Sequence, residues 1–220
     1  MFPLLKSQYS ANDLFYSINR GNHYSDAILI KTEHRKNIRL PLTDTAFDAF
    51  SDCVFPKSFD KKVLLAEEGQ SCKYVYFLEQ GACYSYIVDK KGDKHTMQFA
   101  LEGYWISDLY SFFSDRKGIY TIETLEPTHG LLLNRQNFKK ACDICPEIDR
   151  FFRLLIQNAF VALQYRLAKT NSEDAESRYI EFSRLYPNFV QRIPQYLIAS
   201  YLGIKPQSLS RIRKEIALKK

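Results

Sequence analysis

No apolar run in this chain approaches the roughly 18–20 residues that a bilayer-spanning helix needs, so a membrane-spanning helix is not expected. The first ten residues, MFPLLKSQYS, lack the charged and long apolar regions of a secretory signal. The five cysteines, Cys53, Cys72, Cys83, Cys142 and Cys145, are odd in number and irregular in spacing, which argues against a disulfide framework. A cytoplasmic protein with reduced thiols is the resulting expectation. Cys142-Asp143-Ile144-Cys145 is a CxxC pair, but no second pair completes the four ligands of a zinc or iron–sulfur site. A thioredoxin-like pair would need a βαβ context, which the pattern lacks, so packing is the plain reading and redox sensing the alternative. The four histidines, His23, His34, His95 and His129, show no ligand spacing. No triad, metal cluster or phosphate loop stands out, and Glu67/Glu68 reads as a polar turn rather than an acid/base pair. The chain is therefore expected to need no metal and no cofactor, and to be no enzyme.

What the chain does have is unevenly placed charge. The formal net charge is +6. Residues 151–220 hold 12 Lys and Arg against 5 Asp and Glu, and the other 150 residues are close to neutral. A basic end attached to a neutral module is the electrostatic pattern of a nucleic-acid-binding protein.

Residues 54–133 are rich in β-branched and aromatic residues broken by turn signals. Strands are expected at 62–66, 74–79, 83–88, 95–100, 120–125 and 129–133. Alternation is clearest in Cys83-Tyr84-Ser85-Tyr86-Ile87-Val88, and Asp89-Lys90-Lys91-Gly92-Asp93 signals a hairpin. Glu68-Gly69 and Gln80-Gly81 mark two further turns. Short strands at regular spacing suggest a compact antiparallel barrel or roll, with 107–113 as a short interrupting helix.

The period then changes. Residues 134–142 read as a short helix, and Pro146 can open a long one running to about residue 170. Ile148, Phe152, Leu155, Ala159 and Ala162 step by three or four, and Phe151, Leu154, Val161 and Tyr165 widen the stripe. Two adjoining apolar stripes can serve both the chain's own core and a partner. Phe152, Leu155, Ala159 and Ala162 are the expected dimer contacts. Another helix is expected at 173–185.

Residues 193–216, IPQYLIASYLGIKPQSLSRIRKEI, carry the most information. Apolar or small residues fall at Leu197, Ile198, Ala199, Leu202, Ile204, Leu209, Ile212 and Ile216, with Gly203 between two helical patterns. That is the spacing of a helix-turn-helix, and Pro206 suits the first turn of its second helix. Gln207, Arg211 and Lys214 fall opposite the apolar face, flanked by Ser208 and Ser210. Arg suits guanine O6/N7 and Gln suits adenine N6/N7. Arg213, Lys214, Lys219 and Lys220 would suit phosphates. The bland alternative is a helical hairpin with a solvated basic face.

A β-roll with Gly-marked turns, a long connecting helix and this C-terminal motif resemble the CRP/FNR family of bacterial transcription regulators. The resemblance covers about residues 40–217. It is carried by Glu176-Ser177-Arg178-Tyr179, Arg192-Ile193-Pro194, the 198–204 turn region and Ser208-Leu209-Ser210-Arg211-Ile212-Arg213-Lys214. It implies an α+β fold: an antiparallel, cyclic-nucleotide-binding-like β-roll, a dimerisation helix and a helix-turn-helix with little or no wing. The expected divisions are 1–145 for the roll with an N-terminal extension, 146–170 for the dimerisation helix and 171–220 for the DNA-binding part. A homodimer on a palindromic double-stranded DNA site, in contact with RNA polymerase, is further implied.

Departures from the family bear on the effector. Cyclic-AMP-binding members carry a Gly-Glu-Leu segment whose Glu holds the ribose, and about ten residues on an Arg pairs with the phosphate. Here the first segment reads Ser107-Asp108-Leu109, and the second, Lys117-Gly118-Ile119-Tyr120-Thr121, has no Arg at that place. A buried phosphate needs a fixed charge, so cyclic AMP is not the expected effector. Any other effector would occupy a pocket bounded by Ser107, Asp108, Leu109, Tyr120, Thr121, Leu163 and Gln164. Residues 1–52 hold no cysteine, unlike the members that sense oxygen through an iron–sulfur cluster. The expected function is a sequence-specific DNA-binding regulator with its recognition helix at about 206–217. The alternatives are a ligand- or redox-sensing roll whose helix-turn-helix serves protein contacts, and an enzyme with a β-barrel pocket.

Overall fold

The computed structural model describes residues 50–218. The expectations for the N-terminal extension, for His23 and His34, and for Lys219 and Lys220 fall outside these residues. Among the described residues there are eight strands: β1 (Phe55–Phe59), β2 (Leu64–Ala66), β3 (Tyr74–Gln80), β4 (Cys83–Val88), β5 (Lys94–Ala100), β6 (Trp105–Ile106), β7 (Thr121–Thr124) and β8 (Thr128–Asn134). They form two four-stranded antiparallel sheets, ordered β1-β8-β3-β6 and β2-β7-β4-β5. One helix, α1 (Leu109–Ser114), interrupts the roll after β6. Six follow it: α2 (Arg135–Ile144), α3 (Pro146–Ser172), α4 (Ala175–Leu185), α5 (Pro187–Arg192), α6 (Gln195–Leu202) and α7 (Pro206–Leu218).

Strand alternation sorts β4 between two cores. Cys83 joins Leu78, Ala100, Ile106 and Ile122 inside the roll. Tyr84 and Tyr86 point the other way, stack at 5.0 Å, and join Phe99 in a cluster with the C-terminal helices. A period of two thus gives this sheet one face for the roll and one for the chain that follows. The β4–β5 hairpin closes as expected, with Asp89 Oδ1 accepting the N–H groups of Lys91 and Asp93 at 2.8 and 3.0 Å. This Asx arrangement lets a polar side chain stand in for backbone partners.

The long helix divides in two. Pro146 occupies its first turn, beside Glu147 and Asp149, which complement the positive end of the helix dipole. Its first half buries Ile148, Phe151 and Phe152 against Trp105, Phe138 and Phe50. Its second half leaves Phe160 and Leu167 58% and 57% exposed.

Phe152 is therefore not available as a dimer contact. It is buried in the chain's own core, at 5.2 Å from the Trp105 ring and 5.0 Å from that of Phe138. Leu155 packs partly buried on the same cluster. Ala159 is exposed and Ala162 partly buried. The stripe left uncovered runs through Ile156, Phe160, Leu163 and Leu167, the last three exposed. A helix apolar on several sides does not reveal by its period alone which stripe meets the roll.

Candidate functional site

The two C-terminal helices are joined by a tight turn. Gly203 ends α6 with φ 64° and donates its N–H toward Ala199 and Ser200, while Ile204 N–H reaches Ala199 O at 2.8 Å. This is a Schellman-type closure, which places a glycine in the left-handed region. Leu197, Ile198, Ala199, Leu202, Ile204, Leu209 and Ile212 are buried and hold α6 and α7 together. The opposite side of α7 exposes Gln207, Ser210, Arg211, Arg213 and Lys214, with Ser208 partly buried beside them. Arg211 Nε lies 3.8 Å from Glu215 Oε1, both side chains well exposed. Such a surface pair contributes little and leaves the guanidinium accessible.

Long-range contacts that no local pattern encodes tie these helices to the rest. Arg178 donates from Nη1 to Thr170 O at 3.0 Å and to Glu173 O at 2.7 Å, and from Nη2 to Gly203 O at 3.4 Å. One guanidinium thus joins the end of α3, the start of α4 and the α6–α7 turn. Arg192 forms ion pairs with Glu102 and Glu126 on two turns of the roll. Burial works to raise the Glu102 carboxyl, but hydrogen bonds from Arg192 and from the Gly81 N–H outweigh it and hold the group below its ordinary value. Phe99 on β5 meets Phe189 and Tyr201 at 5.9 and 5.2 Å. Arg166 lies 4.4 Å over the Tyr201 ring and donates to Met97 O at 2.9 Å.

The second candidate region is the loop from Ser107 to Thr121. Asp108 is fully buried. Its Oδ1 caps α1 by accepting Ser111 N–H at 3.1 Å. Its Oδ2 accepts the N–H groups of Ile119 and Tyr120 at 2.6 and 2.9 Å. A Cβ placed on Gly118 would sit 2.9 Å from Asp108 Oδ2 and 2.9 Å from Gln70 O, so no side chain fits there unless something moves. Ser107 Oγ donates to Tyr74 O at 3.0 Å, and Thr121 Oγ1 accepts Glu68 N–H at 3.1 Å. Leu109 and Tyr120 are partly buried. Burial raises the Tyr120 phenol, Asp108 adds to the shift, and Arg166 opposes it. Arg116 and Lys117 are exposed.

The structure brings part of the set expected from the sequence together. Ser107, Asp108, Tyr120 and Thr121 come together, but through bonds to their own loop and its neighbours. Gln164 and Leu163 are exposed on α3 instead of covered by the roll. Partly buried Ala162 and Arg166 lie on the side of α3 that meets β5.

Cys72, Cys83, Cys142 and Cys145 are free thiols. Burial, followed by Asp149 and Asp143, pushes Cys142 up to about 11. Burial and then Glu147 also raise Cys145, whose Sγ lies 2.9 Å from Glu147 Oε2. Both belong to the α2–α3 packing cluster, and raised thiols are poor nucleophiles. Among the described residues, no His, Cys, Asp or Glu group is arranged to hold a metal ion, and no helix is long and apolar enough to cross a membrane.

Comparison with known proteins places the fold. A family model described as cyclic nucleotide-binding domain matches residues 56–145. No curated protein sequence matches the chain. Among solved structures, FixK2 from Bradyrhizobium japonicum superposes with a TM-score of 0.63 at 18% identity, over 76% of this chain and 85% of its own. A Eubacterium rectale protein described as a transcriptional regulator of the CRP/FNR family gives 0.62 at 14% identity, over 81% and 85%. The Thermus thermophilus catabolite activator protein gives 0.52 at 15% identity, over 81% and 85%. At these identities the likeness is one of fold. The chain thus has the two-sheet roll of a cyclic nucleotide-binding domain, followed by a long helix and a set of short ones, in the architecture of CRP-like proteins.

Proposed function

We propose that the chain is a homodimeric, sequence-specific DNA-binding transcription regulator of CRP/FNR type. In this reading residues 171–220 bind DNA, α3 pairs the two copies, and the roll is the sensor-like half. The observation that carries it is the outward face of α7. Gln207, Ser210, Arg211, Arg213 and Lys214 are exposed there, while Leu209 and Ile212 anchor the helix from behind. Arg211 and Gln207 supply base-edge chemistry. Arg213 and Lys214 supply phosphate contacts, which fix position without reading sequence. The CRP/FNR description of a structural neighbour supports the same reading.

The uncovered stripe on α3 supports the pairing. Ile156, Phe160, Leu163 and Leu167 are spaced four, three and four, the a/d rhythm of a coiled-coil seam. Exposed apolar patches of this kind mark association surfaces. A two-fold dimer would present two copies of α7 to half-sites roughly one helical turn, about 34 Å, apart.

Selection of duplexes from a randomised library with the full chain tests the proposal. An inverted repeat should be enriched and bound about 10³-fold or more over random duplex. Its affinity should fall steeply with salt, because each neutralised phosphate releases counterions. Recovery of no preferred sequence would refute the reading.

A further inference from the structure

The loop that the family resemblance points to as the effector's phosphate subsite already holds an anion. Two consecutive backbone N–H groups, of Ile119 and Tyr120, converge on a single oxygen of Asp108 at 2.6 and 2.9 Å. The residue before them is Gly118, whose N–H donates to Gln70 O at 2.7 Å and whose O accepts the Gly69 N–H at 2.9 Å. A side chain there would run into Gln70 O and Asp108 Oδ2. Adjacent N–H groups with no side chain beside them make an oxyanion cradle.

We propose that the Asp108 carboxylate is the permanent occupant of this cradle, so that the roll is closed to phosphate-bearing effectors. Length explains why Asp can do this. A side chain with one methylene fewer than Glu stays within its own loop, where one oxygen caps α1 and the other takes the two N–H groups.

The surrounding bonds fix the closed loop. Ser111 Oγ accepts Cys72 N–H at 2.8 Å and donates to Arg116 O at 2.6 Å. Arg135 pairs with Asp115 and donates from Nη2 to Ser111 O at 3.0 Å. Arg116 and Lys117, the cations next to Gly118 in sequence, are exposed. Arg116 donates to Tyr110 Oη at 3.4 Å, outside the cradle. A buried carboxylate would repel an incoming phosphate and would have to give up three backbone bonds to admit it. The regulator then responds to something other than a cyclic nucleotide, or is set by its own concentration.

This inference relies on the proposed function only in treating the roll as a sensor half. Its test involves no DNA, so the two can fail separately. Full-length wild type and Asp108→Ser are titrated calorimetrically with cyclic AMP, cyclic GMP and inorganic phosphate at constant ionic strength. Wild type should bind none of them at millimolar concentration. Asp108→Ser, with its cradle emptied, should bind phosphate or a cyclic nucleotide at least about tenfold more tightly than wild type. Micromolar binding of either cyclic nucleotide to wild type would overturn the proposal, as would a folded Asp108→Ser no more responsive than wild type. If that variant does not fold, hydrogen exchange of wild type decides. Slow exchange at Ile119 and Tyr120, unchanged by millimolar phosphate, supports the internal occupant. Exchange there as fast as at exposed Lys117 contradicts it.

Discussion

The hydroxyl of Ser200 on α6 accepts the backbone N–H of Thr96 on β5 at 2.9 Å. It also lies 3.2 Å from Lys94 O, to which it donates. Strand β5 is an edge of its sheet, and an edge presents unpaired backbone groups. A side chain from the first helix of the α6–α7 pair satisfies two of them. The helices proposed to read DNA are thus fitted to the roll by hydrogen bonds, by Phe99 against Phe189 and Tyr201, and by Arg192.

The Arg192 contact should show in the acid stability. Hydrogen bonds from Arg192 and Gly81 outweigh burial and hold the Glu102 carboxyl below its ordinary value when folded. The unfolded chain therefore takes up that proton first as pH falls. The stabilisation is full at neutral pH and is lost as pH drops from the ordinary carboxylate range through the lower folded value. Urea unfolding as a function of pH should show wild type losing more stability across that window than Glu102→Gln. Arg192→Ala should cost about 1 kcal/mol at neutral pH, since its side chain and those of its partners are partly exposed.

Two glycines should respond to alanine for different reasons. At Gly203 a Cβ meets nothing closer than 3.5 Å, so the penalty is the left-handed backbone, about 1–2 kcal/mol. At Gly118 the backbone is ordinary and the penalty is collision at 2.9 Å with Gln70 O and with the Asp108 carboxylate. Overpacking of that kind costs about 1–3 kcal/mol, and it should also loosen the bonds from Asp108. Chemical denaturation should show both losses. Hydrogen exchange at Ile119 and Tyr120 should accelerate in Gly118→Ala and remain unchanged in Gly203→Ala.

The two faces of α3 should separate folding from association. Phe160→Glu or Leu167→Glu should leave the far-UV spectrum unchanged and convert a dimer to a monomer in sedimentation. Phe152→Ala removes a ring packed against Trp105 and Phe138, and should cost about 3–5 kcal/mol at any protein concentration. A wild type that is monomeric at high micromolar concentration would contradict the α3 seam.

Local patterns made much of this legible. Alternation in 83–88 and the Asp89–Asp93 turn announced the β4–β5 hairpin, and Gly203 with Pro206 announced the α6–α7 turn. Strand β1, FPKSF, has no alternation to read and contains a proline, and its pairing with β8 is seen only in three dimensions. Strand β6 has two residues, too few for any period. Arg192, Ser200 and Glu102 look like ordinary surface residues in the sequence. The contacts of Arg192 with Glu102 and Glu126 and of Ser200 with Lys94 span 66 to 106 positions, so no local rule could pair them. Asp108 stands in the segment where the resemblance implies a ribose-holding Glu. Its engagement with its own loop depends on the path of Gly118 past Gln70, which no spacing encodes.

The role of α7 is tested most directly by the ratio of dissociation constants for a selected inverted repeat and for random duplex, in wild type and Arg211→Ala at one salt concentration. Loss of a bidentate base contact should reduce that ratio by the equivalent of about 1–3 kcal/mol, with affinity for random DNA changing far less. A ratio unchanged by Arg211→Ala would show that this face of α7 does not read DNA.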